Sequence, residues 1–442
     1  MSKRYFGTDG IRGIAGEPPL DPATVHAIGL SLADDLQGGT VVMGEDTRES
    51  SPAIAAQLAS GLRARGIQVA HAGVVPTPAV AFLAATGSYR AGIMISASHN
   101  PYRDNGIKIF GAGGYKLPDR DEAAIEASIE NYRNLPVGAP ASLQTSSELC
   151  AAYVASLVEQ FHGVDFSGLN VVIDCGNGAA SRVAGEVCAR LGLHASIMAS
   201  TPDGRNINDG VGALYPQAMA ESVRTSAADA GAALDGDADR AILADAHGSL
   251  VNGDSVLWML ARALHVPTVV GTVMTNLGLE HALRREGIAL DRTQVGDKYV
   301  LERMQQLGAA LGGEPSGHVI FAREATTGDG LRTALHCFAL MASTRQPLRD
   351  LCQGWQPLPH TIINVRVSHK RPLEHLPAVQ SAIRAAEKEF HGDGRVLVRY
   401  SGTEMLARVM VEALDALAVE RHAAAVAAAL QHDLGNSNAA TG

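Results

Sequence analysis

Short apolar runs of strand character alternate with longer helix-like stretches along nearly the whole chain. Residues 40–43 are β-rich, and residues 51–65 then read as a helix. Ser51 supplies a cap there, and Pro52 sits in the first turn, where its missing N–H is not needed. Residues 67–70 read as a second strand and Ala91–Ile95 as a third. Further strands are predicted at Asn170–Asp174, 232–234 and 268–273, with helices from about Ser181 and after Asn276. This alternation implies parallel sheets covered by helices, an α/β class.

The pattern is interrupted three times. Residues 135–147 hold Pro136 and Pro140 among Gly, Ala and Ser, which reads as a linker and places a boundary near residue 150. Others fall at Asn252-Gly253-Asp254 and at Pro357-Leu358-Pro359. The expected domains are therefore 1–150, 151–252, 253–358 and 359–442. The first three share a βαβ rhythm. The last is smaller and reads α+β: a strand at 361–367, a helix at 372–390, strands at 396–400 and 408–412, and an Ala-rich final helix. The polar tail 435–442 is expected to be mobile.

Composition narrows this picture. A chain of 442 residues is too long for one compact core. With 46% hydrophobic and 19% charged residues it is a folded chain rather than a disordered one. A formal net charge of −10 argues against a nucleic-acid partner, because backbone affinity comes from Lys and Arg. It does not exclude a small phosphate met by locally converging basic residues. The cysteines Cys150, Cys175, Cys188, Cys337 and Cys352 are odd in number and lack CxxC spacing, so they are expected as reduced thiols in the cytoplasm. The start, Met1-Ser2-Lys3-Arg4-Tyr5-Phe6-Gly7, has no signal-peptide core, and no apolar run approaches the roughly 20 residues of a membrane span.

Four segments carry candidate chemistry. Ser98 closes the strand Ala91–Ile95 in Ser96-Ala97-Ser98-His99-Asn100-Pro101. Reactive groups gather at the carboxyl ends of strands in open α/β sheets, and the Asn-Pro turn predicts an exposed serine with Lys108 returning to the same site. Taken alone, an ordinary polar turn fits as well. A serine-hydrolase elbow does not, because no G-x-S-x-G surrounds Ser98. Asp235, Asp237 and Asp239 alternate with small residues, and an extended segment would turn all three carboxylates to one side. A hard divalent cation such as Mg²⁺ would relieve their repulsion. An EF-hand fails, since Arg240 and Ala246 stand where Gly and an acidic residue are required. Arg240 beside the aspartates suits a bound phosphoryl group.

Gly312-Gly313-Glu314-Pro315-Ser316-Gly317-His318 offers a carboxylate, a hydroxyl and an imidazole to sugar hydroxyls, although a plain glycine-rich hairpin reads the same way. Arg399-Tyr400-Ser401-Gly402-Thr403-Glu404 offers a guanidinium, two hydroxyls and turn N–H groups, a phosphate cradle or a simple hairpin turn. Arg408 adds charge there or serves as a strand-face residue. No Walker A motif is present. A phosphate site so far along the chain from Ser98 implies a cleft between domains.

Together with Gly7-Thr8-Asp9-Gly10-Ile11-Arg12-Gly13, these segments stand in an order that resembles the α-D-phosphohexomutase superfamily over essentially the whole chain. The first motif, the Ser-Ala-Ser-His-Asn-Pro variant and Thr327-Gly328-Asp329-Gly330 are most similar to its bacterial phosphoglucosamine mutase branch. The resemblance implies four domains around a central cleft and interconversion of glucosamine 6-phosphate and glucosamine 1-phosphate, feeding UDP-N-acetylglucosamine and peptidoglycan precursor synthesis. It implies a phosphorylated Ser98 and one Mg²⁺ per chain, held by Asp235, Asp237, Asp239 and a phosphoserine oxygen. Glucosamine 1,6-bisphosphate is the implied intermediate. Lys108, with Arg12, His99, Arg240 and His318, would manage protons and charge. Glu314 and Ser316 would grip the sugar, while Arg399, Ser401, Gly402, Thr403 and Arg408 would hold the non-reacting phosphate. The implied partner is a hexosamine phosphate, with no nucleic acid or membrane; the sequence sets no oligomeric state, and a homodimer stays open.

Two positions depart from the family pattern. Tyr400 stands where many relatives have Lys or Pro, and Met405 where Pro is usual. Both flank the phosphate loop. Three other functions compete: the same reaction on glucose or mannose phosphates, a metal-dependent phosphatase, and a non-catalytic sugar-phosphate sensor.

Overall fold

The computed structural model describes residues 5–7, 9–401 and 405–435. The candidate residues Gly402 and Thr403 and the tail beyond 435 lie outside the described residues. Among them no helix is long and apolar enough to cross a membrane, and the five cysteines are free thiols.

The first sheet comprises β1 (Phe6–Gly7), β2 (Gly10–Ile14), β3 (Thr40–Glu45), β4 (Gln68–Val74), β5 (Ala91–Ile95) and β6 (Asp104–Gly111), in the order β1-β2-β6-β5-β3-β4. The second comprises β7 (Asn170–Asp174), β8 (His194–Met198), β9 (Ala230–Leu234), β10 (Ala241–Asp245) and β11 (Leu250–Val251), ordered β11-β10-β9-β7-β8. The third comprises β12 (Thr268–Thr272), β13 (Ala289–Thr293), β14 (Leu311–Gly313) and β15 (Val319–Phe321), ordered β13-β12-β14-β15.

Each sheet contains the expected parallel strands and also antiparallel ones that the sequence pattern does not predict. β3 pairs in parallel with β4 and β5, β7 with β8 and β9, and β12 with β13 and β14. Each sheet then adds an antiparallel return, β6 on β5, β10 on β9 and β15 on β14. The connections are residues 96–103, 235–240 and 314–318. All are shorter than the dozen or so residues that a parallel crossover needs, so the chain can only turn back. These three returns are the loops that carry Ser98, the aspartates and Glu314.

The core of the first sheet is formed by side chains such as Ile11, Val41, Met43, Ile93 and Ile107, with Leu58 and Leu62 from the covering helix. The helices α1 (Pro22–Leu36) and α2 (Ser51–Ala64) cross with their backbones in contact. A Cβ on Gly61 would lie 2.3 Å from the His26 carbonyl oxygen, and one on Gly29 2.4 Å from that of Leu58. Gly61→Ala is therefore expected to cost about 1–3 kcal/mol, the usual penalty for overpacking. It would appear as a lower midpoint of chemical unfolding, and an unchanged midpoint would contradict the close crossing.

The chain divides into two compact units, Met1–Met274 with Ile288–Gln353, and Thr275–Gly287 with Gly354–Gly442. The second contains the antiparallel sheet of β16 (His360–Arg366), β17 (Gly394–Tyr400) and β18 (Leu406–Ala413), ordered β16-β18-β17. Helices Pro377–Phe390 and Ala416–Leu434 cover it over a core that includes Val365, Val409, Val411, Val426 and Leu430, an α+β arrangement as expected. Helix Leu277–Arg285 belongs to this unit, where the Leu277 N–H donates to Glu412 Oε1 at 3.1 Å. The helix expected from residue 372 begins at Pro377, and Leu373–His375 form a 3₁₀ turn before it. Proline suits the first helical turn and no later one.

Candidate active site

Ser98 lies in the return between β5 and β6, within the first unit. The expected exposure is corrected: the residue is 0% exposed. Its backbone is left-handed, with φ of 54°, a region that a serine enters only when its surroundings enforce it. The Ser98 N–H donates to Ser96 Oγ at 2.9 Å, and its carbonyl accepts from Arg48 and Asn208 at 3.0 Å each. Its Oγ donates to Asp235 Oδ2 at 2.6 Å and lies 3.2 Å from His99 Nδ1.

The aspartates converge, but not by strand alternation. They occupy the return between β9 and β10, where Ala238 has φ of 58° and its N–H donates to the Asp235 carbonyl at 3.0 Å. This turn, rather than an extended backbone, brings one oxygen of each carboxylate within 4.8 Å of the others. All three residues are buried. Asp237 Oδ1 and Asp239 Oδ1 are buried without a hydrogen-bond donor. Asp235 is pushed well above the usual carboxylate range by burial, then by Asp239 and Asp237. An all-oxygen set with orphaned oxygens and mutual repulsion fits a hard divalent cation. Thr77, at the start of helix Thr77–Thr86, buttresses the loop: its Oγ1 donates to Asp237 Oδ2 at 2.5 Å and its N–H to the Asp237 carbonyl at 2.9 Å. The two loops touch at Gly236, where a Cβ would lie 2.6 Å from the Ser98 carbonyl oxygen.

β6 delivers Lys108 to this cluster, opposite Met94 of β5. Its ammonium lies 2.7 Å from Asp237, 3.2 Å from Asp239 and 2.9 Å from Asp9. Lys116 bridges Asp9 and Asp297 at 2.5 Å each. Asp297 lies 3.5 Å from His318 Nε2, and Asp239 lies 3.6 Å from His318 Nδ1. Acidic and basic groups thus alternate from Asp239 through Lys108, Asp9, Lys116 and Asp297 to His318, joining residues of all three sheets. Burial disfavours the charged lysines, yet Asp237, Asp239 and Asp9 hold Lys108 well above its usual range, and Asp297 and Asp9 raise Lys116. Burial also opposes the Asp9 charge, but Lys108, Lys116 and Arg12 hold it well below the carboxylate range.

His318 is balanced between two states. Burial lowers its pKa, but Asp297 and Asp239 outweigh burial and raise it. The Gly328 N–H, however, donates to Nε2 at 3.0 Å, which requires a free lone pair on that nitrogen. In this arrangement the proton sits on Nδ1, facing Asp239, and a second proton would displace the Gly328 bond. His99 is pushed down to about 4 by burial, then by Arg240 and Arg12, and is a neutral imidazole at neutral pH. Arg12 pairs with Asp9 and donates to Asn100 Oδ1 at 3.3 Å; Arg240 Nε lies 3.6 Å from Asp239.

Glu314 and Ser316 occupy the return between β14 and β15, where the Glu314 N–H donates to the His318 carbonyl at 2.9 Å. Glu314 Oε1 accepts from the Gly296 N–H at 3.0 Å, while Ser316 Oγ is buried without a hydrogen-bond partner. In the second unit, Arg399 of β17 stands directly opposite Arg408 of β18. Arg408 Nε is buried without an acceptor, and Arg399 is lowered by burial and by Arg408. Like charges paired across strands are destabilising unless an anion joins them. The buried Ser401 donates its N–H to Leu406 and accepts from Lys370 Nζ at 2.5 Å through its carbonyl.

Sequence reasoning missed Asp9, Arg48, Thr77, Lys116, Asn208, Asp297 and Lys370 as parts of these clusters. Asp9 stood inside the first motif without an assigned role. Lys116 and Asp297 carry no local pattern, since each acquires its partner from a different domain.

Sequence models of the phosphoglucomutase/phosphomannomutase family match the chain in series: alpha/beta/alpha domain I over residues 3–135, domain II over 151–248, domain III over 252–358, and the C-terminal domain over 362–429. The chain is 48% identical to a phosphoglucosamine mutase of Koribacter versatilis, covering 98% of both chains. It is also 48% identical to one of Solibacter usitatus, covering 98% of this chain and 100% of that one. Among solved structures, a phosphoglucomutase/phosphomannomutase family protein of Burkholderia thailandensis has the same fold, with a TM-score of 0.80 at 24% identity over 96% of this chain and 97% of the other.

Proposed function

The chain belongs to the phosphoglucomutase/phosphomannomutase family, and from that premise we propose that it is an isomerase interconverting glucosamine 6-phosphate and glucosamine 1-phosphate, with Ser98 as the phosphoryl carrier. The observation that carries this is the Ser98 hydroxyl 2.6 Å from Asp235 within a buried triad of aspartates. A hydroxyl beside carboxylates suited to a cation supports the carrier reading over that of a structural turn residue. The amino sugar is favoured by relatives named phosphoglucosamine mutase that match nearly the full chain.

In this reading the domains run 1–150, 151–252, 253–358 and 359–442. Phosphorylated Ser98 gives its phosphoryl group to the free hydroxyl of the sugar. The bond from phosphorus to Ser98 Oγ breaks as the bond to the sugar oxygen forms, and the hydroxyl proton leaves to a base. The product of this half is glucosamine 1,6-bisphosphate, and the reverse step at its other end restores phosphoserine. Asp235, Asp237 and Asp239, with a phosphoserine oxygen, would hold one Mg²⁺, which when bound neutralises charge on the transferring phosphoryl. Lys108, held as an ammonium, adds a second positive charge there, and Arg12 and Arg240 add guanidinium groups. Neutral His99 has a lone pair able to take a proton, and His318, whose pKa Asp297 and Asp239 raise, would exchange one. Glu314 and Ser316 would bind sugar hydroxyls. Arg399, Ser401, Gly402, Thr403 and Arg408 would hold the phosphate that is not being transferred.

Kinetics of bisphosphate-primed protein on glucosamine, glucose and mannose 6-phosphates test the assignment. The glucosamine phosphate is expected to have the highest kcat/KM, and a clear preference for the mannose phosphate would sink it. Lys116→Met is expected to lower kcat/KM about 10–100-fold, because Lys116 fixes the Asp9 carboxylate that in turn holds Lys108. The assay should be run below the unfolding temperature, which this variant also lowers by removing one buried cation partner from both Asp9 and Asp297. Activity within about twofold of the parent would remove Lys116 from the mechanism.

A further inference from the structure

The Ser98 loop is held from behind by a side chain that none of the four motifs contains. Arg48 is 1% exposed, and its side chain reaches no solvent. A guanidinium has five N–H groups in a rigid fork, and here five bonds leave it. Nε binds Asp46 Oδ2 at 2.8 Å. Nη1 binds the Asp104 carbonyl at 2.8 Å and the Pro101 carbonyl. Nη2 binds the carbonyls of Ser98 at 3.0 Å and Asn100 at 2.9 Å. Four carbonyl oxygens, three of the return loop and one from the first residue of β6, converge on one centre and would repel each other if the donor were absent.

The anchor beneath Arg48 is equally fixed. Asp46 accepts from Ser96 Oγ at 2.6 Å, from Ser51 Oγ at 2.9 Å and from the Arg48 N–H at 3.1 Å. Its own N–H donates to the Ile95 carbonyl at 3.0 Å, the last residue of the strand that leads into the loop. Ser96 Oγ also receives the Ser98 N–H. From the loop that follows β8, Asn208 Nδ2 adds a donor to the Ser98 carbonyl at 3.0 Å. Both backbone groups of Ser98 are therefore tied, and its left-handed φ of 54° is over-determined by its neighbours.

We infer that Arg48, assisted by Asn208, is a positioning residue that fixes the direction in which Ser98 presents its phosphoryl group. The inference rests on Ser98 being the phosphoryl carrier. A carrier that serves two ends of one sugar must offer the same in-line geometry twice, and a displacement of about 1 Å is enough to cost roughly 100-fold in rate. Arg48 is sealed from solvent on the backbone side of Ser98, so it contributes to the rate without contributing to substrate binding. Lysine cannot replace it, because three N–H groups on one nitrogen cannot span four carbonyls and a carboxylate.

The test uses the full chain primed with glucosamine 1,6-bisphosphate, comparing the parent with Arg48→Lys and Asn208→Asp. Asn208→Asp keeps the side-chain shape while replacing the donor with an acceptor. Arg48→Lys is expected to lose about 100-fold in kcat with KM within about twofold of the parent. The phosphoserine ³¹P resonance is expected to shift, which a merely stabilising residue would not cause. If Arg48→Lys does not fold, Asn208→Asp decides, with a loss of about 10-fold in kcat at unchanged KM expected. For whichever folded variant decides, kcat within about twofold of the parent, or a loss confined to KM, overturns the inference. A parent protein that takes no phosphate on Ser98 overturns the carrier assignment instead, and intact mass separates the two failures.

Discussion

Replacing Ser98 with alanine is expected to lower mutase turnover by about 10⁴-fold or more, the scale of losing a nucleophile from a preorganised site. Ser98 Oγ is the atom that would bond to phosphorus, and it sits 2.6 Å from Asp235 and 3.2 Å from His99. Alanine keeps the backbone bonds from Arg48, Asn208 and Ser96, because these reach the Ser98 carbonyl and N–H rather than its side chain. The left-handed backbone strains alanine much as it strains serine, and the lost hydroxyl bond to buried Asp235 costs about 1–3 kcal/mol. The variant should therefore fold and bind sugar phosphate while gaining no phosphate-sized mass increment from glucosamine 1,6-bisphosphate. Near-normal turnover, or an increment on another residue that keeps the variant active, would end the carrier role. A phosphatase would release inorganic phosphate from the parent without 1-phosphate product, and a sensor would bind without turnover after priming.

The second large effect is expected at Asp237. Asp237→Asn should weaken Mg²⁺ binding by at least about 100-fold, since substitutions that only support a ligand already cost 10–100-fold. Asp237 has one oxygen shared by Thr77 and Lys108 and the other buried without a donor. The amide keeps the Thr77 contact but removes a negative charge from both the cation and Lys108. Mg²⁺ should raise the Tm of the parent by stabilising the folded state that binds it, and this increment should vanish in the variant. Titration calorimetry on the full chain gives the affinity directly. A variant that binds Mg²⁺ as tightly as the parent would remove Asp237 from the ligand set, whatever its activity.

These two predictions differ in how far they were legible in the chain. Ser98 was marked by its place after the apolar strand Ala91–Ile95, and the aspartates by their spacing beside Arg240. Both are local patterns, and the structure keeps the two segments together. The reason given for the aspartates was nevertheless wrong, since a left-handed turn at Ala238 gathers them rather than strand alternation. The exposure expected of Ser98 was wrong too, since its loop is held inward by Arg48 and Asn208. Of the phosphate loop, Arg399 and Arg408 form the cross-strand pair that an anion would satisfy, although nothing local distinguished Arg408 from an ordinary strand residue.

The sequence by itself determined the strands, the domain rhythm, the order of the motifs and the candidate carrier hydroxyl, because each depends on residues close together in the chain. Only the tertiary structure decided what those residues experience. Ser98 meets Asp235 across 137 positions, and Lys116 meets Asp297 across 181. The antiparallel return of β6 carries Lys108 into the aspartate cluster. Burial and charge partners fix protonation and backbone strain, and both come from side chains that no local pattern places together.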